Sequence, residues 1–385
     1  MNINKTMTAL PIEAYTSQEW FDKEQKYIFS NTWQFAGLLE DLTEPGDYLT
    51  VQAGLNNILV IYGEDKQLKA FHNVCRHRGT QLLRAVGKRK KFITCPYHDW
   101  TYTLDGELSA VPERKTQFPD LDMSLLCLHK ASVGVWRGMI FVHPDADAES
   151  LSSWFEDIEP YLGSHQPEKL VEYQEARTRH EINANWKIVV ENYIDGYHLA
   201  HLHSETLFMY DHRKQERGFV GNHFYFYEPL AKDYGADIRN NSPYPLIDHI
   251  PSDKIGAYVP MLFPNLGLAE IESSWSIFSI IPVAPDKSIV EFRSKVMPVS
   301  SWDFITQKWK SWNYFKSRKG DKYKTGDKND PMASGNLLAE DMYVCEQQQK
   351  SLQSPYFSVG AIANDFEQSV YQYQGNVRDY IEQQS

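Results

Sequence analysis

Two stretches decide how this chain is read: Phe71-His-Asn-Val-Cys75-Arg-His77-Arg-Gly79 and Thr94-Cys95-Pro-Tyr-His98-Asp-Trp100. Together they spell C-x-H, seventeen residues, then C-x-x-H. Each half offers one thiolate and one imidazole. Two of each suit a tetrahedral zinc ion. They also suit a [2Fe–2S] cluster with both thiolates on one iron and both imidazoles on the other. Zinc modules usually keep a cysteine pair apart from a histidine pair, whereas here the types are mixed within each half. Gly79 and Pro96 shape two loops able to clamp one cluster between them. The pattern favours iron and sulfide over zinc.

Outward from these loops the chain is β-rich. Short runs at Tyr48–Val51, Ile58–Ile61, Phe92–Cys95, Trp100–Leu104 and Val133–His143 alternate with the turn signals Glu44-Pro-Gly46, Asp105-Gly106 and Arg137-Gly138. An all-β module is expected over residues 35–145. Before it, Pro11 to Trp33 reads as a helix, with Thr16 to Glu19 as its capping box. From about Leu151 the pattern is mixed. Strand-like runs (Val171–Ile182, Phe219–Tyr227, Leu266–Pro282, Ser288–Met297) accompany helix-like runs (Trp186–His198, Trp302–Ser317, Leu337–Leu352). This argues for an α+β chain with a second domain over 150–385. The charged, glycine-bearing segment Lys316 to Pro331 reads as a mobile loop.

Composition narrows the function classes. The chain has 385 residues, enough for a core without disulfide staples. Its net charge of −12 argues against a general nucleic-acid binder, which needs a surplus of Lys and Arg. The longest apolar candidate, Val133 to Val142, is broken by Arg137, so no membrane span is expected. The polar start, Met1 to Leu10, lacks the pattern of a signal peptide. With cysteines only at 75, 95, 127 and 345, a cytoplasmic location is expected.

A second constellation lies in Asn185-Trp-Lys-Ile-Val-Val-Glu-Asn-Tyr193-Ile-Asp195-Gly-Tyr197-His198-Leu-Ala-His201-Leu-His203. Oxygen-activating non-haem Fe(II) commonly takes two His and one carboxylate on one face, leaving the other positions open. On a regular helix Asp195 and His198 share a face, being about 60° apart. His198 and His203 sit about 140° apart, so both can ligate only where the helix distorts or ends between them. A straight helix would prefer His201. A remote carboxylate is offered by Asn336-Leu-Leu-Ala-Glu340-Asp341-Met-Tyr-Val-Cys345-Glu346. Glu340 points about 100° away from Asp341, and Glu346 is a further candidate.

The loops Cys-Arg-His-Arg-Gly and Cys-Pro-Tyr-His-Asp-Trp resemble those of Rieske proteins, above all the α-subunits of Rieske non-haem iron oxygenases, and the likeness runs from Tyr15 to about Glu367. The resemblance implies a Rieske [2Fe–2S] domain, with Cys75 and Cys95 on the inner iron and His77 and His98 on the outer one. It implies a catalytic domain of helix-grip (START-like) type, an antiparallel sheet curved around a long helix, and a helical segment over 1–34 packed on that domain. Mononuclear Fe(II) would be held by His198, His203 and Asp341, the family pattern selecting His203 over His201. Asp195 would bridge His198 to a cluster histidine, His98, of a neighbouring subunit, in a homotrimer or an α3β3 assembly. The implied function is a terminal oxygenase that takes O2, and electrons from a separate reductase (flavin, with or without [2Fe–2S]) or a ferredoxin, to hydroxylate a small organic substrate.

For that substrate the pocket candidates are Asn192, Phe208, Met209, Tyr210, Phe224, Tyr227 and Met261. An aromatic ring compound is the first reading. A quaternary ammonium compound such as a betaine, choline or carnitine is the alternative, for which tyrosines could form a cage. Arg213 stands near the metal segment, but no carboxylate clamp is visible. Two rivals remain: a Rieske electron carrier, and a zinc-stabilised binding protein. Lys88-Arg-Lys-Lys91 reads as a solvated hairpin tip, with docking of an acidic electron carrier as the functional alternative.

Overall fold

The computed structural model describes residues 10–318 and 329–382. The chain divides into two compact units, one of residues 22–156 and one joining residues 1–21 to 157–385.

In the first unit β1 (Gln34–Leu38), β2 (Tyr48–Ala53), β3 (Asn56–Tyr62), β4 (Leu68–His72), β5 (Val86–Gly87), β6 (Ile93–Thr94), β7 (Thr101–Tyr102), β8 (Leu108–Ala110), β9 (Lys130–Trp136) and β10 (Met139–His143) form antiparallel sheets. Their orders are β1-β10-β9-β4-β3-β2-β5 and β6-β7-β8. The uninterrupted apolar run in β3 follows from burial on both faces. Ile58 and Val60 enter one core beside Leu49 and Ile140. Leu59 and Ile61 enter the other, beside Phe71, Trp100 and Tyr102. The run Val133–His143 is a hairpin. Arg137 and Gly138 both take positive φ, 51° and 75°, as a two-residue turn that follows strand twist requires.

The basic run is partly structural. Lys88 meets the buried Asp47 at 3.0 Å. Burial alone would raise that carboxyl, but Lys88 and the backbone N–H groups of Arg89, Glu44 and Thr43 hold it at about 2.

The N-terminal segment departs from the expected single helix. Short helices Glu13–Thr16 and Gln18–Glu24 lead into a π-helical stretch, Gln25–Phe29. Ser17, not Thr16, receives the Trp20 N–H at 3.3 Å, because the Thr16 hydroxyl turns back to the Ile12 carbonyl. The unit boundary falls at Asp22 rather than at 34. Tyr15 ties the earlier part to the second unit: its hydroxyl donates to Glu191 at 2.5 Å and its carbonyl accepts from Gln349. Ser30 ties the later part to the first unit, accepting from the Leu55 N–H and donating to the Gln25 carbonyl.

The second unit is built on one antiparallel sheet. Its strands are β11 (Val171–Glu172), β12 (Thr178–Ile182), β13 (Glu216–Val220), β14 (His223–Glu228), β15 (Ala257–Tyr258), β16 (Met261–Leu262), β17 (Leu266–Ile271), β18 (Ser274–Ala284) and β19 (Lys287–Val296). The order is β11-β19-β18-β17-β15-β14-β13, with β12 on β19 and β16 between β14 and β17. Helices α1 (Trp186–Ile194), α2 (Leu199–Leu202), α3 (Ser301–Arg318), α4 (Leu337–Ser351) and α5 (Gln368–Glu382) accompany it. The α+β expectation holds. The expected single strands at 171–182, 219–227 and 266–282 each divide in two. Helix α5 is not among the expected elements, although Tyr373, Val377 and Ile381 recur at helical spacing and are buried. The expected loop Lys316–Pro331 lies mostly outside the described residues. Among the described residues no helix is long and apolar enough to cross a membrane.

Candidate active site

Asn185 starts α1 by accepting the Lys187 N–H at 3.0 Å. The helix stops at Ile194, where Asp195 turns extended (φ −77°, ψ 110°). Asp195 then organises the exit: Oδ1 accepts the Tyr197 N–H at 2.7 Å and Oδ2 meets His198 Nδ1 at 3.1 Å. His198 and His203 flank the single turn α2. The break that the five-residue spacing demands is therefore built, and the two imidazoles face each other with centroids 5.0 Å apart. His201 is exposed and packs on Tyr197 instead.

Helix α4, capped by Asn336, brings the carboxylates. Asp341 Oδ1 lies 2.9 Å from His203 Nε2 and 3.7 Å from His198 Nε2. One donor atom from each of the three residues lies within 4.8 Å of the others. Glu340 does face away from that cluster, but it has a task that sequence reasoning misses: its Oε2 meets His203 Nδ1 at 2.9 Å, fully buried. Its place one step round the helix from Asp341 is the signal, because a ring held between 340 and 341 meets both. Burial alone would lower His203, but Asp341 and Glu340 raise it, an excess of negative charge that suits a cation. Glu346 is engaged elsewhere, accepting from Asn183 at 3.0 Å.

Asp195, His198, His203 and Asp341 line a cavity of about 330 Å³. Asn192, Met209 and Tyr210 line it as well; Phe208, Phe224, Tyr227 and Met261 do not. Phe208 packs on Tyr314 and Phe315 of α3. Phe224 and Met261 are cross-strand partners in the core. Tyr227 packs against Tyr258, its partner on β15. The walls come instead from Ser274, Ser276, Phe278 and Ile280 of β18, with Val290 and Phe292 of β19. Their period of two is the available signal.

In the first unit the two loops are copies of one another. Cys75 N donates to Thr80 O and Gly79 N to Cys75 O; Cys95 N donates to Trp100 O and Asp99 N to Cys95 O. The fifth residue of each loop has positive φ, 73° at Gly79 and 54° at Asp99. Both thiols are buried and both imidazoles partly exposed, with His77 and His98 centroids 4.7 Å apart. His77 stacks on Trp100, and its buried Nδ1 has no partner. Burial, His98 and Arg78 lower His77, keeping it neutral as a ligand must be. Tyr102 holds the first loop, its hydroxyl 3.4 Å from Cys75 Sγ while accepting the Arg76 N–H at 3.0 Å.

Residues 170–383, more than half of the chain, match the model of the ring hydroxylating alpha subunit (catalytic domain), and residues 32–130 match the Rieske [2Fe-2S] domain. The chain belongs to the ring-hydroxylating α-subunit family. It is 36% identical over 193 residues to the carnitine monooxygenase oxygenase subunit of Acinetobacter baumannii, 49% of this chain and 51% of that one. It is 34% identical over 200 residues to the glycine betaine monooxygenase oxygenase subunit of Chromohalobacter salexigens, 52% and 44% of the two chains. It thus spans about half the length of the curated relatives it matches. The quaternary ammonium Rieske monooxygenase CntA, a structure described as giving insights into carnitine oxidation by gut microbiota and inter-subunit electron transfer, superposes with TM-score 0.74 over 96% of this chain and 94% of that one. At 23% identity, that likeness carries the fold alone.

The family's two cofactors are a Rieske [2Fe–2S] cluster and mononuclear iron. The residues fit both. The orphaned His77 nitrogen beside two buried thiols suits the cluster. The mixed N and O donor set of His198, His203 and Asp341, with a carboxylate behind each imidazole, suits ferrous iron. A hydroxyl on a cluster sulfur raises the reduction potential. Tyr102→Phe is expected to lower it by roughly 40–60 mV, one hydrogen bond of about 1 kcal/mol in a one-electron couple, read by redox titration. Glu340→Gln is expected to weaken Fe(II) binding to the apo site by about 10- to 100-fold, read by metal titration.

Proposed function

We propose that this chain is the terminal oxygenase component of a Rieske-type system. The observation that carries the reading is the convergence of His198, His203 and Asp341 in the lining of a largely apolar cavity, in a chain that also bears the two cluster loops. In this reading Cys75, Cys95, His77 and His98 hold the cluster, and His198, His203 and Asp341 hold the iron. When bound, the iron supplies O2 activation. The chain's own residues do the rest. Asp195 and Glu340 fix the two imidazoles, the apolar walls keep out water, and Asn192 offers a polar side chain to the substrate. The overall balance is R–H + O2 + 2e⁻ + 2H⁺ giving R–OH + H2O, with electrons from a separate reductase. Asp195, partly exposed beside His198, is the bridge to His98 of a neighbouring subunit.

The relatives' names move the substrate reading from an aromatic ring compound to the alternative, a quaternary ammonium compound. The test is an anaerobic count of iron, acid-labile sulfide and zinc, followed by reductase-driven O2 uptake over both substrate classes. About three irons and two sulfides per chain, with substrate-dependent uptake, support the reading. Cluster without mononuclear iron favours a carrier, and zinc without sulfide removes the reading altogether.

A further inference from the structure

The substrate cavity is electrostatically one-sided. The charged side chains among its described lining residues are Asp195, Asp341 and Glu228, with no lysine or arginine. The first two are committed to His198 and His203. Glu228 is not: it lies on β14, 2% exposed, with Oε1 2.9 Å from His212 Nδ1. Its partner is an imidazole, and His212 Nε2 is buried with no partner of its own among the described residues.

The rest of the cavity is largely apolar, walled by Leu199, Leu207, Val259, Phe278, Phe292 and Met342, with Asn192, Ser274 and Ser276 as uncharged polar groups. A substrate carboxylate placed there would lose its hydration, find no cationic partner among the described residues and face like charge. A cation would find the opposite, and an apolar substituent would bury against the walls. We propose that the substrate is a monocation with an apolar body and no carboxylate, an alkyl- or aryl-substituted ammonium, and that Glu228 selects it. This rests on the cavity being the oxygenase's substrate site.

The experiment uses iron- and sulfide-replete protein under anaerobic calorimetry. The probes are benzyltrimethylammonium, glycine betaine, carnitine, and the pair choline and 3,3-dimethylbutan-1-ol, its uncharged isostere. Benzyltrimethylammonium is expected to bind about tenfold or more tighter than either zwitterion, and choline tighter than its isostere. Glu228→Gln is expected to weaken both cations about tenfold and leave the isostere unchanged. Glu228→Asp, which keeps the charge, should retain the preference for cations. Should the Gln variant unfold, the Asp variant and the parent's ranking still decide. Zwitterions bound as tightly as cations, or cations indifferent to Glu228→Gln, would overturn the proposal. A protein that fails the iron and sulfide count overturns the oxygenase reading instead, so the two failures are distinct.

Discussion

Asp341→Asn should yield a folded protein that keeps its cluster spectrum and loses its mononuclear iron. Asp341 is the only anion within reach of both imidazole Nε2 atoms, at 2.9 and 3.7 Å, among the described residues. An amide has the same shape but no charge, and two neutral imidazoles hold a ferrous ion weakly. Folding should survive. The side chain is 24% exposed, and α4 keeps its Asn336 cap and its Gln349 contact with the start of α1. The expected loss is about one iron per chain with sulfide unchanged, and a fall in turnover of about 1000-fold or more. Iron and sulfide assays on the purified variant decide it. An unchanged iron count would remove Asp341 from the site.

Asp195→Asn should separate metal content from turnover. Its carboxylate does two things: one oxygen holds the Tyr197 N–H, and the other meets His198 Nδ1. The amide oxygen can still accept from Tyr197, so the bend after α1 should persist and His198 should stay in place. What is lost is the negative charge behind His198, at a pair that is partly exposed, Asp195 by 19% and His198 by 17%. Sulfide is expected at the parental level, iron at the parental level once Fe(II) is supplied in excess to offset weaker binding at His198, and reduction of the cluster by its reductase at the parental rate. Single-turnover oxidation of the reduced cluster, with substrate and O2 present, should slow by about 100-fold or more. A parental rate in that step would confine Asp195 to holding the bend.

Much of this site is legible in the amino-acid sequence, for a physical reason. Metal ligands are few, chemically distinct and held at fixed offsets by short loops. C-x-H and C-x-x-H stand out, and so does an Asp-x-x-His run on a helix that must end. The cavity wall is not legible, because an apolar side chain carries no sign of whether it meets a cavity or solid core. Phe224 and Phe226 are both buried and two apart on β14, yet only Phe226 reaches the cavity. Which of them does so depends on how far along the sheet the cavity extends. Glu340 lies between these cases. Its position on the helix is plain, but a carboxylate behind an imidazole is visible only once the partner ring is placed. Glu228 is silent in sequence, because a lone acid in a strand announces nothing until the cavity beside it is seen to lack cations among its described residues.

The matched loops around Cys75 and Cys95 impose a direction. Both sulfurs are buried and both imidazoles partly exposed, so a cluster held there would be approached from the side of the rings. In the oxygenase reading the neighbouring subunit already sits on that side, through Asp195 and His98. An electron donor would then have to reach the cluster with the acceptor still in its seat.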